Sequence, residues 1–172
     1  MAKSTPEYSP GDIIVHRNYG VGQIDGIEWK PMNGIEVEYF RVKTKNGFYW
    51  FPTESLENPR IHPVASQELI QRAIEILRSA PQDLDNGPLE WKERIDDVKT
   101  DGDILAICCL IRDLTALKTK KKLNQTQEHA LNNMGDRLIR EWAASLDVDA
   151  KSIRPKLKAY LRESSTYFQN TV

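Results

Sequence analysis

The sequence predicts an α+β protein of 172 residues in two domains, a small SH3-like antiparallel β-barrel over residues 1–65 and an all-α domain of about five helices over residues 66–172. Three observations carry that prediction. Two Asn-Gly pairs, Asn33-Gly34 and Asn46-Gly47, stand between runs rich in Ile, Val, Phe, Tyr and Trp, the strongest short-range signal for a β-hairpin. After "PRIHPVAS" the apolar period changes from two to between three and four. The segment "DILAICCLIRDLTALK" is the most apolar of the chain, as a central core helix must be.

The elements follow in order. "DIIVH" reads as a first strand, and Asn18 and Gly20 turn the chain into a second, "GVGQIDGIEW". In "GIEVEYFRV", Ile35, Val37 and Tyr39 alternate with Glu36 and Glu38, the pattern of a strand with one dry and one wet face. In "FYWF", Phe48 and Trp50 must point one way and Tyr49 and Phe51 the other, so one pair builds a core and the other is partly exposed. A barrel of about 55 residues leaves no room for a catalytic interior. In the second half Ser66 is placed to cap a helix carrying Leu69, Ile70, Ala73, Ile74 and Leu77 at helical spacing. Pro88 suits the first turn of a helix running to about Lys99, and Asp101 and Gly102 break it. "TKKKLNQTQ" reads as a loop, "QEHALNNMGDRLIREWAASL" as a long helix, and Ile153, Leu157, Tyr160 and Leu161 mark a last one with a frayed tail "ESSTYFQNTV".

Charge restricts the functions available. Lys and Arg number 24 against 25 Asp and Glu, and neither half hides a basic excess: residues 1–65 carry 7 against 8. A protein held to nucleic acid by non-specific phosphate contacts would be more basic, so any such role is local. No apolar run approaches the roughly 20 residues of a membrane span, and the polar start argues against a secretory signal, so a cytoplasmic location is expected. The two cysteines, Cys108 and Cys109, are sequence neighbours in the core helix and are expected to be reduced thiols.

Catalytic patterns are missing. His16, His62 and His129 show no metal-ligand spacing, and no metal or cofactor is expected. The glycines of "GVG" lack the following helix of a nucleotide loop and fit a tight barrel corner instead. The expectation is a non-enzyme without a small-molecule substrate. Basic residues gather at two places, Lys118, Lys120, Lys121 and Lys122 in the predicted loop, and Lys151, Arg154, Lys156 and Lys158 on the last helix. Trp91 admits two readings. With Ile95 and Val98 it forms one helical stripe, which makes it a core residue. Its place in the first turn, beside Lys92 and Arg94, is set against that reading and suits an aromatic wedge against a base step.

Taken together, these segments resemble the CarD family of bacterial regulators that bind RNA polymerase, whose N-terminal domain is shared with the transcription-repair coupling factor. "YSPGDIIVHRNYGVGQIDGIE" is similar to the family's opening, "EYFRVK" and "FYWFP" follow in order, and "EWKERIDDVKTDGDILAICCLIRDL" has the family's tryptophan, charged helix, Gly-Asp break and Arg-Asp-Leu ending. The resemblance implies a Tudor-like N-terminal domain that docks on the β subunit of RNA polymerase and a helical domain that meets the minor groove of promoter DNA at the upstream edge of the transcription bubble. It implies Trp91 as the wedge and sets Lys30 and Trp50 near polymerase-facing positions; with the basic clusters and the exposed aromatic pair read above, Lys92, Arg94, Lys120, Lys121, Lys122, Lys151 and Arg154 are the expected DNA contacts and Lys30, Phe48 and Trp50 the expected polymerase contacts. Such a factor stabilises the open complex by contacting it better than the closed one. Two departures stand out. Trp50 occupies a position where some relatives carry a cation, and Glu93, Asp96 and Asp97 make the segment after Trp91 more acidic. A more apolar polymerase contact and a weaker DNA contact are expected accordingly. The rival expectation is an adaptor of the same fold, docking through the β-domain without touching DNA.

Overall fold

The computed structural model describes residues 7–54, 58 and 60–169, without the side chains of residues 101, 168 and 169. The chain divides into two compact units, Met1–Val64 and Ala65–Val172. The first contains β1 (Ile13–His16), β2 (Gly20–Met32), β3 (Ile35–Thr44), β4 (Gly47–Pro52) and β5 (Ile61–Pro63); the second contains α1 (Gln67–Arg78), α2 (Pro88–Asp101), α3 (Ile104–Lys120), α4 (Gln125–Leu146) and α5 (Ala150–Gln169).

The strands form one antiparallel sheet in the order β4-β3-β2-β1-β5. Ile14, Ile24, Phe40, Val42, Tyr49, Phe51 and Ile61 come from all five strands and pack in a single cluster, so the sheet is coiled around its core in the manner of a small barrel. Asn33 and Gly34 both take positive φ, 53° and 82°, which the tight β2–β3 turn requires. Gly22 has a different reason: a Cβ there would lie 2.6 Å from Val42 Cγ1, so only glycine lets β2 approach β3 at this corner. His16 is buried, and its Nδ1 accepts hydrogen bonds from the Asn18 and Tyr19 amides at 3.0 and 3.3 Å, closing the β1–β2 turn.

One strand departs from the sequence reading. The dry face of β3 is built by Phe40 and Val42, whereas Ile35, Val37 and Tyr39 lie on the opposite face, with Ile35 69% exposed. The reason is length: β3 outruns β4, which pairs only with residues 39–44, so residues 35–38 extend beyond the barrel core.

In the helical unit α3 packs against α1, α2, α4 and α5. Ser66 Oγ accepts from the Leu69 amide at 3.1 Å, Asp103 caps α3, and Asn124 and Gln127 cap α4 reciprocally. Gly102, with φ 65°, ends α2 in the left-handed conformation. Cys108 is fully buried and Cys109 half-buried; both are free, and burial raises the Cys108 thiol far above its ordinary pKa.

Helix ends differ from expectation at two places. The predicted loop over 119–127 shrinks to 121–124, because α3 runs on to Lys120 and α4 begins at Gln125. Cations in the last turn favour this extension, since Lys118 and Lys120 face the negative end of the helix dipole. The tail predicted to fray is helical to Gln169, held by Ser164, which is buried and donates to the Ser79 carbonyl at 2.6 Å, and by Glu163, whose oxygens take two bonds from Arg78. Residues 170–172 lie outside the described residues.

Candidate docking and nucleic-acid interfaces

The outer face of the sheet carries an unusual concentration of aromatic and charged groups. Lys30, Phe48 and Trp50, predicted as partner contacts, all stand on it. Tyr49 and Phe51 point inward at 8% and 5% exposure while Phe48 and Trp50 are 51% and 38% exposed. The Trp50 indole N–H donates to Glu28 at 2.8 Å, and the Lys30 ammonium lies 3.4 Å from the centre of its ring. That is a close cation–π contact. Sequence reasoning missed Arg41, which links the rest: its Nη1 donates to Glu28 at 2.8 Å, its Nε to Asp25 at 2.7 Å, and its guanidinium stands 5.6 Å from the Phe48 ring. The hydrogen bond to Asp25 raises the Arg41 pKa further. The network fixes the exposed Trp50 ring in one orientation at little entropic cost, which is what a docking surface needs. Among the described residues β4 is an edge strand of this sheet, so a row of backbone groups without ladder partners there runs beside the two aromatics.

The helical unit turns part of the predicted nucleic-acid site away from the surface. Trp91 is 1% exposed and lies in the core with Ile95 and Val98, so it cannot act as a wedge in this conformation. The helical stripe decides the matter: a residue four and seven positions ahead of two buried aliphatics shares their face. Arg94 is likewise turned inward. Its Nη2 donates to Asp113 at 2.5 Å, and its guanidinium lies 5.2 Å from the Trp91 ring. Asp113 is fully buried and also accepts from Arg112 Nε at 2.7 Å and from the Gln82 amide at 2.9 Å, while Arg112 Nη1 donates to Ser79 Oγ at 2.7 Å. Thus the Arg-Asp pair of the family's Arg-Asp-Leu ending is a buried polar hub joining α1, α2, α3 and the loop between α1 and α2. A buried carboxylate stripped of such partners would be strongly destabilising, and that explains both arginines.

The first turn of α2 does expose an apolar side chain, but it is Leu89, at 67%. Lys92 is exposed three residues on, hence next to it on the helix surface. Lys120 lies 3.9 Å from Asp85, which brings the lysine-rich turn to the start of α2; Lys121 and Lys122 are exposed there. Leu89 could have been suspected from the same helical count that buries Trp91, since two residues apart on a helix means nearly opposite faces.

On α5, Lys151, Arg154, Lys158 and Arg162 fall on one face by their spacing of three and four. All four are exposed; Arg154 pairs with Asp136 at 3.0 Å. Lys156, predicted in the same group, lies on the other side of the helix. Among the described residues no three His, Cys, Asp or Glu side chains gather to hold a metal ion, and no helix is long and apolar enough to cross a membrane.

Comparison with known proteins agrees with this arrangement. Residues 8–65 match the model of the CarD-like/TRCF RID domain, and residues 72–158 match that of the CarD C-terminal domain. The chain is similar to a Bacillus subtilis (strain 168) protein named "Putative transcription factor YdeB", with 29% identity over 150 residues that span 84% of this chain and 95% of the relative. With a Tudor-like β-domain and a helical domain each matched in order over nearly the whole chain, the protein belongs to the CarD family of transcription regulators.

Proposed function

We propose that the protein acts without catalysis, binding the β subunit of RNA polymerase through the outer face of its β-domain and contacting promoter DNA at the upstream edge of the bubble through its helical domain. The observation that carries the reading is the cluster of Trp50, Phe48, Lys30, Arg41 and Glu28 beside the free edge of β4. A partner strand adding to that edge gains main-chain hydrogen bonds, and the held aromatics supply the specific contact. Trp50 makes this contact through its ring, in keeping with its place where relatives carry a cation. The location is the cytoplasm, with the polymerase.

The DNA contact passes to Leu89, the exposed apolar group of the first turn of α2, with Lys92, Lys121 and Lys122 as neighbouring cations. Leucine is among the side chains that proteins insert between base steps. Tethering to polymerase raises the local DNA concentration, so a near-neutral chain needs only these few cations. One observation favours the rival adaptor reading: two of the predicted DNA residues, Trp91 and Arg94, are withdrawn from the surface.

Binding of purified core polymerase by the natural chain and by Trp50→Ala tests the docking half. Loss of a held aromatic at the centre of an interface weakens binding by about 2 kcal/mol or more, roughly thirtyfold. Equal affinity, with the fold intact by circular dichroism, sinks this half of the reading.

A further inference from the structure

Two adjoining cavities lie on the helical domain where α3, α4 and α5 meet. One, of about 550 Å³, is lined by Thr115 and Thr119 of α3 and by Lys158, Leu161, Arg162 and Ser165 of α5 among others. The second, of about 380 Å³, shares Thr115, Lys158 and Leu161 with it and continues to Gly135 of α4. Shared lining makes them two lobes of one groove.

Three features of the groove lack an explanation in the fold itself. Gly135 sits in the interior of the 22-residue helix α4, where glycine is destabilising relative to alanine, yet a Cβ there would meet nothing within 4 Å. No packing partner requires it, and it lines the second lobe. Lys158 and Arg162, one helical turn apart, make no ion pair among the described residues, although Arg78, Lys118 and Arg154 around them are all paired. Thr115, which lines both lobes, has no side-chain hydrogen-bond partner among the described residues either, whereas Thr119, Ser165 and Thr166 each donate to a helix carbonyl. Beneath these polar groups the floor is apolar, made by Ile111, Ile139, Leu157 and Leu161. An unpaired cation pair, a threonine shared by the two lobes and an apolar floor beside a glycine describe a receptor for a molecule with an anionic head and an apolar body.

We infer that this groove binds a small amphiphilic anion, its head between Lys158 and Arg162 and its body over Leu161 toward Gly135. The inference does not rest on the DNA-binding reading, because its test contains no DNA.

The test uses the full chain and the fluorescent amphiphilic anion 8-anilinonaphthalene-1-sulfonate. Saturable one-site binding is expected, weakened at least tenfold by Lys158→Glu, which reverses the charge at the head, and at least tenfold by Gly135→Leu, which fills the second lobe. Lys156→Glu, on the opposite side of α5, leaves it unchanged. Decanoate displaces the dye, and inorganic phosphate at the same concentration does not. Thermal unfolding of each variant accompanies the titrations, so that dye taken up by a loosened fold is recognised by a lowered Tm. The inference is overturned by binding equal in natural chain and both groove variants, by equal loss with Lys156→Glu, by no saturable binding, or by displacement with phosphate alone.

Discussion

Trp91 shows how one side chain can satisfy two opposed readings until its exposure is known. Its position in the first turn of α2, flanked by Lys92 and Arg94, suits a wedge, but periodicity with Ile95 and Val98 places it in the core at 1% exposure. Its indole N–H is buried without a partner. The residue is therefore held by the packing of its ring, with Arg94 over one side, and Trp91→Ala leaves a large cavity: thermal or denaturant unfolding should show the helical domain destabilised by about 3–5 kcal/mol. Wild-type stability for that variant would mean that the ring is not in the core. Tyr49 is the β-domain counterpart. Its phenol oxygen is buried and unpartnered, and burial raises its pKa well above the ordinary value of 10.0. The folded pKa exceeds the unfolded one, so stability from the neutral phenol is fully present below pH about 10 and declines as pH rises above it. Tyr49→Phe removes both the unpaired hydroxyl and its ionisation. Chemical denaturation at pH 7 should find it as stable as the natural chain or more so, and its β-domain should lose less stability between pH 9 and 11.

At the scale of elements, much of the docking face was legible in the turns. Counting back from Asn46-Gly47 sets Arg41 opposite Trp50, and counting back from Asn33-Gly34 sets Lys30 opposite Val37 and Glu28 opposite Tyr39. Those two hairpins alone put Lys30, Arg41 and Trp50 on one face. The contacts among them were not legible, because the β-bulge between Ile24 and Gly26 shifts the register by one and brings Asp25 within reach of Arg41. In the helical domain the apolar stripes revealed the helices and their buried faces, and the same arithmetic separates Leu89 from Trp91. What periodicity could not reveal was the fate of Arg94, since a cation beside an apolar stripe turns inward only if a buried carboxylate, here Asp113, waits for it. The turn between α3 and α4 keeps its predicted cations at the surface, and it carries a prediction of its own. If Lys121 and Lys122 contact phosphate, replacing both by alanine should lower the slope of log binding constant against log salt by about 1.8 in magnitude, measured on a duplex bearing the upstream edge of a bubble. An unchanged slope favours the adaptor reading.

For the molecule as a whole, the proposed function divides the work between the two domains by chemistry. The β-domain presents aromatic rings held by short-range polar contacts, a surface whose affinity depends little on salt, whereas the helical domain presents lysines whose effect is screened within about 10 Å at ordinary ionic strength. A chain with 24 cations and 25 anions cannot find DNA by charge alone, so the proposed function needs the first domain to deliver the second. Regulation then requires that the delivered contacts differ between closed and open complexes. The lifetime of promoter open complexes, formed with purified polymerase in the presence of the natural chain, Trp50→Ala or Leu89→Ala, tests this most directly. The account predicts that the natural chain changes that lifetime, that Trp50→Ala has no effect at concentrations where the natural chain saturates, and that Leu89→Ala still binds polymerase but changes the lifetime less. A lifetime altered equally by all three proteins, or by none, would contradict it.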